Sequence, residues 1–85
     1  MKVHRLKTWK NVFQVMKTGE KSFDLRKNDR KFQVADEVIL DEFDPETNDY
    51  TGDHIHAKIT WILESDNPFH NLGDKVILSL KYWDF

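Results

Sequence analysis

The sequence predicts a small α+β fold, a partly closed β-barrel of about five mostly antiparallel strands with one main helix near the N-terminus. Three observations lead there. Trp9, Val12, Phe13 and Met16 recur at the i, i+3, i+4, i+7 spacing of a single buried helix face. From Ser22 onward apolar residues alternate with polar ones instead, the period of two that marks half-buried strands. The length of 85 residues suffices for one hydrophobic core and not for two, so a single domain over 1–85 is expected.

Taken in order, Val3 to Leu6 reads as a short strand. Thr8 follows, and its hydroxyl suits a helix cap, so a helix is expected from near Trp9 to about Thr18 with Lys10, Asn11, Gln14 and Lys17 toward water. Gly19 then ends it, because glycine takes the left-handed conformation beyond a helix without steric cost. Ser22 to Lys27 is the next strand, with Phe23 and Leu25 on the face assigned to the core and Ser22, Asp24 and Arg26 on the polar face. Asn28 to Lys31 forms a turn, with Phe32 and Val34 tucked beneath it as anchors.

Glu37 to Phe43 is a strand with β-branched residues at its centre. The Pro, Asn and Gly content of Asp44 to Gly52 marks a hairpin loop. The clearest alternation follows: Ile55, Ala57, Ile59, Trp61 and Leu63 inward, His54, His56, Lys58 and Thr60 outward. Asn67 to Gly73 is a loop with room for one helical turn, and Lys75 to Trp83 closes the chain with Val76, Leu78, Leu80 and Tyr82 on one face. Short connections between the later strands favour antiparallel pairing.

The absence of cysteine excludes disulfides, thiolate metal sites and cysteine nucleophiles, and fits a reducing compartment, so a cytoplasmic address is expected. No apolar run exceeds three residues, which argues against a secretion signal or membrane span. The net charge of −2 hides an asymmetry: residues 1–31 carry ten basic and three acidic side chains, residues 32–85 three basic and twelve acidic. Either one face attracts anions, or the two halves neutralise each other on the surface.

The most informative segment is Gly19-Glu20-Lys21-Ser22-Phe23-Asp24-Leu25-Arg26. Read as G-x-K-x-x-[D/E]-x-R across a helix end and the next strand, it resembles the signature of ASCH domains in the PUA-like superfamily. With His4 to Trp9, Phe13, the run Arg26-Lys27-Asn28-Asp29-Arg30, Phe32, Val34, Asp36, Pro45, Gly52 and the final Val-Ile-Leu-Ser-Leu, it resembles a small phage and bacterial subgroup of that superfamily over nearly the whole chain. The resemblance implies a PUA-like barrel and, by analogy of fold alone, binding of RNA or a modified nucleotide.

The residues give that analogy content. Ser22, Asp24, Arg26 and Asn28 share one strand face, Lys21 stands where the helix hands over to the strand, and Lys7 joins from the first strand. Together with Arg30 these offer cations for phosphate and a carboxylate that accepts from a base edge or ribose hydroxyl. The competing structural reading makes Asp24 and Arg26 an ordinary ion pair, lets Asn28 and Asp29 shape the turn, and has Arg30 clamp Asp24 or Asp36.

A hydrolase is the rival class. Some ASCH domains resemble amidohydrolases of acylated cytidine that use a lysine, a threonine and a distant glutamate. Lys21 and Arg26 match that pattern, but Asp24 occupies the threonine position, and a carboxylate does not replace a hydroxyl nucleophile in amide cleavage. What remains is Asp24 as a base with Lys21 stabilising an oxyanion. A third class is a phage-type protein-interaction factor using the acidic C-terminal half. His54 and His56 have the two-residue spacing of zinc ligands but no evident third ligand, so no metal is expected; no cofactor is expected either. Tyr50, in a polar loop, is a candidate for stacking on a base.

Overall fold

The computed structural model describes residues 1–64 and 71–83. Its elements run β1 (Val3–Trp9), α1 (Lys10–Lys17), β2 (Phe23–Lys27), β3 (Glu37–Asp44), β4 (Asp49–Leu63) and β5 (Lys75–Tyr82). The strands form one mixed sheet in the order β1-β3-β4-β5-β2, curled into a half-barrel. β1 pairs parallel with β3, while β3 with β4, β4 with β5 and β5 with β2 are antiparallel. The sheet edges are therefore β1 and β2, the two strands that flank the helix in sequence. No helix among the described residues is long and apolar enough to cross a membrane. The expected helical turn before Gly73 falls largely on 65–70, outside the described residues.

The concave face holds Leu6, Val38, Leu40, Ile55, Ala57, Ile59, Val76, Leu78 and Leu80. An isolated helix of eight residues does not persist in water; α1 is held because Phe13 and Met16 are fully buried against that face, each contributing about 1.5–3 kcal/mol. Gly19 takes φ 82° beyond its end, as expected for a helix stop. β1 is longer than the sequence suggests and buries His4, Leu6 and Thr8 in strict alternation. Thr8 is thus a strand residue and caps nothing; Trp9 occupies the N-cap position without a side-chain bond.

Three expectations about which side chains face inward are reversed. On β2 the alternation holds but its sense is inverted: Asp24 is buried, whereas Phe23 and Leu25 are each about half exposed. The register explains this, since Asp24 lies opposite the inward Leu78 and Phe23 and Leu25 opposite Ser79 and Ile77 of the outer face. On β4 the pairing register shifts between Ile59 and Trp61. That one-residue irregularity exchanges the faces beyond it, sending Trp61 out to 65 % exposure and turning Ile62 toward the core. Trp9, read as part of the buried helix stripe, is half exposed because it belongs to the strand-to-helix corner.

Smaller differences follow from turn chemistry. Asp49 to Gly52 are already strand, so the hairpin turn is only Pro45 to Asn48, with Asn48 at φ 54° supplying the left-handed residue. Phe32 is a buried anchor and packs against the His4 ring at 4.7 Å, but Val34 is exposed. His4 in turn bonds Asp36 at 2.9 Å, and Asp36 also accepts from the backbone amides of Lys2 and Gln33. This knot fastens the start of β1 to the segment entering β3.

Candidate functional site

The two sheet edges do not pair with each other. Between them lies an open groove of about 450 Å3, lined by Lys7, Thr8 and Trp9 of β1, Val12 of α1, and Lys21, Asp24, Leu25 and Arg26 around β2. The elements place these groups for local reasons. Because Gly19 ends the helix sharply, Lys21 falls just ahead of β2. The β2–β5 register turns Asp24 and Arg26 inward, and the parallel β1–β3 pairing turns Thr8 inward on the opposite edge.

Asp24 is the centre. Its Oδ2 accepts from Arg26 Nε at 2.5 Å, and its Oδ1 lies 3.8 Å from Lys21 Nζ. Arg26 spans the groove, its second guanidinium nitrogen donating to Thr8 Oγ1 at 3.1 Å. Lys21 also lies over the Phe23 ring, 4.8 Å from its centroid, and its carbonyl accepts the Tyr82 hydroxyl, which ties the helix-to-strand junction to β5. Burial, and secondarily the charge of Asp24, push the Tyr82 phenol up to about 12.

Lys7 completes the cationic lining. Its ammonium sits 3.8 Å from the centroid of Phe43 and 5.7 Å from that of Trp9, a cation–π arrangement that leaves the charge without a carboxylate partner among the described residues. The groove lining therefore includes three cationic residues, Lys21 and Arg26 at the Asp24 carboxylate and Lys7 on the β1 edge. Elsewhere the charge asymmetry is largely neutralised between the halves: Arg5 pairs with Asp41, Lys10 with Asp44, Lys17 with Asp53 and Lys27 with Asp74. The pairing reading of the asymmetry thus holds for these four cations, while Lys7, Lys21 and Arg26 have no ion-pair partner from the C-terminal half among the described residues.

Lys7, Lys21, Asp24 and Arg26 come together; Asn28 and Arg30 do not line this groove. Asn28 bonds the Asp74 carbonyl through its backbone and closes the end of the β2–β5 ladder, and Arg30 is an exposed residue of the following turn. His54 and His56 are exposed on the outer face with rings 5.3 Å apart, and no cluster of three potential metal ligands occurs among the described residues. Tyr50 is half exposed and edge-on to Phe43 at 5.2 Å, away from the groove lining.

Sequence reasoning missed Thr8 and Trp9 as site residues. Thr8 was legible, since it continues the His4-Leu6 alternation by one more step. Glu42 was missed as well: it is a buried carboxylate that accepts from Gln14 of α1 and Thr51 of β4, each at 2.6 Å, and so fastens the helix to the β3–β4 hairpin. Nothing in its local sequence separates it from the exposed carboxylates nearby.

In comparison with known proteins, residues 3–80 match the model of a family described as Domain of unknown function (DUF3850). A search among curated proteins finds no match.

Proposed function

The chain belongs to the DUF3850 family, whose description names no activity, and we propose from the chemistry of its own groove that it is an RNA-binding module with a PUA-like barrel. Lys7, Lys21 and Arg26 hold a phosphate, and Asp24 accepts from a ribose hydroxyl or base edge. The observation that carries this reading is that those four residues line one open groove between two sheet edges that do not pair with each other, with Lys21 and Arg26 both at Asp24. Three cations against one carboxylate leave an excess of positive charge where a phosphate fits. Asp24 and Arg26 are preorganised, because each already holds the other at hydrogen-bond distance.

The test is titration of a short fluorescent single-stranded RNA. Binding should weaken as salt rises, because each neutralised phosphate releases counterions. Lys21→Ala and Arg26→Ala should each weaken it severalfold and reduce the salt slope. Unchanged affinity in both variants refutes the proposal.

A hydrolase acting on an acylated nucleoside is the second reading. One observation favours it: Thr8 brings to the groove a hydroxyl that position 24 lacks. Against it, the Thr8 hydroxyl is buried and already accepts from Arg26, which leaves it poorly placed as a nucleophile. Release of free cytidine from N4-acetylcytidine by the wild type, abolished in Thr8→Val, would establish this reading instead.

A further inference from the structure

We infer that the binding surface extends past Trp9, and that a second groove receives an amino-bearing nucleobase in preference to uracil, from the strand whose phosphate lies among Lys7, Lys21 and Arg26. The inference rests on the RNA reading above and names what that site selects.

A larger groove of about 710 Å3 opens on the other side of Trp9, walled by Val12 and Gln14 of α1, by Asp44 at the end of β3 and by Pro45 and Glu46 of the hairpin turn. Trp9 and Val12 line both grooves, so the two adjoin and Trp9 stands at their boundary. The indole is fixed there. Its backbone is the corner between β1 and α1, and its ring packs edge-on against Phe43 at 5.8 Å and 84°, while Phe43 itself is buried. Even so, 51 % of Trp9 remains exposed. A rigid, half-open indole beside a cationic groove is a platform on which a base can stack, a contact every base can make.

Charge decides what lies beyond it. The first groove is cationic. The second carries Asp44 and Glu46 against Lys10 alone, and Lys10 is engaged with Asp44 at 3.6 Å. Glu46 has no ion-pair partner among the described residues, and its backbone amide donates to Asp44 Oδ1 at 2.9 Å. A phosphate is repelled there, whereas a hydrogen-bond donor is welcome. Cytosine and adenine present an exocyclic amino group on the pairing edge, while uracil presents a carbonyl oxygen at the equivalent place. Facing Glu46, the amino group donates to the carboxylate and the carbonyl opposes it.

The experiment compares eight-nucleotide cytidine and uridine homopolymers by fluorescence anisotropy. Their phosphate charge is equal, so any difference is a reading of the base. The wild type should prefer oligocytidine by about tenfold, the discrimination of one good base-edge contact. Glu46→Gln, an exposed change that removes no bond the fold uses, should bring that ratio close to unity. Trp9→Ala should weaken both oligomers by about five- to fiftyfold, and Trp9→Phe should restore most of the loss. Lys21→Ala should weaken both equally and preserve the ratio. Equal wild-type affinity for the two oligomers, with Lys21→Ala still weakening both severalfold, overturns this inference and leaves the RNA reading standing. Failure of both oligomers to bind overturns both.

Discussion

Replacing Arg26 with methionine isolates the interaction on which the groove is built. The substitution keeps much of the aliphatic stem and removes the guanidinium. Asp24, whose side chain is 8 % exposed, then retains only Lys21 at 3.8 Å, and the buried Thr8 hydroxyl loses the donor it accepts from. Breaking a buried ion pair by removing one partner costs about 3–5 kcal/mol. The 23 % exposure of the Arg26 side chain and the remaining Lys21 contact reduce this to about 2–3 kcal/mol, and the loss at Thr8 adds about 1 kcal/mol.

For a chain of this size a loss of about 3–4 kcal/mol lowers Tm by roughly 12–32 °C. Urea denaturation and thermal melting followed by far-ultraviolet circular dichroism measure it. The double variant Asp24→Leu with Arg26→Met should return to within about 1 kcal/mol of the wild type, because replacing both members of a buried pair removes the stranded charge, while its RNA affinity stays at least severalfold weaker. A single Arg26→Met variant within about 0.5 kcal/mol of the wild type would refute the reasoning.

Three further outcomes follow. Burial alone raises the Asp36 carboxyl, but the His4 ring and the amides of Lys2 and Gln33 outweigh it and hold the carboxyl below its ordinary value of 3.8. A depressed folded value stabilises the protein above 3.8 and loses that contribution as pH falls through the lower folded value; denaturation from neutral pH to about pH 2 should show a steeper acid loss in the wild type than in Asp36→Asn. In an alkaline titration of phenolate absorbance, one of the two tyrosines should ionise only near 12, and Tyr82→Phe should remove that late component. Phe13→Ala empties a fully buried position and should cost about 3–5 kcal/mol by urea denaturation.

The strand and helix content was legible because it rests on local periodicity. Phe13 and Met16 announce the helix face, and Ile55, Ala57 and Ile59 announce the longest strand. What local pattern does not carry is which side of a two-sided strand meets the core. In β2 the apolar Phe23 and Leu25 outvote Asp24 on any hydropathy argument, yet the pairing with β5 turns Asp24 inward, where Lys21 and Arg26 offset its burial. The irregularity near Thr60 is equally silent in the sequence, and it alone moves Trp61 from one face to the other. Four of the six site residues named from the sequence line a common groove because the helix-to-strand junction is short. Asn28 and Arg30 do not, because β2 ends at Lys27 and the turn carries them past it.

Every residue lining the cationic groove lies between Lys7 and Arg26, yet the strand that carries Asp24 and Arg26 pairs only with β5, Phe23 opposite Ser79 and Lys27 opposite Lys75. During synthesis the groove's side chains leave the ribosome about fifty residues ahead of the partner that aligns them, a wait of about 3–10 s at common elongation rates. A nascent chain stopped before Lys75 would possess all the recognition chemistry without the scaffold that aims it. The proposed ligand affinity would consequently be a readout of whether β5 has docked, and nicking or trimming β5 should silence a groove to which it contributes no lining residue.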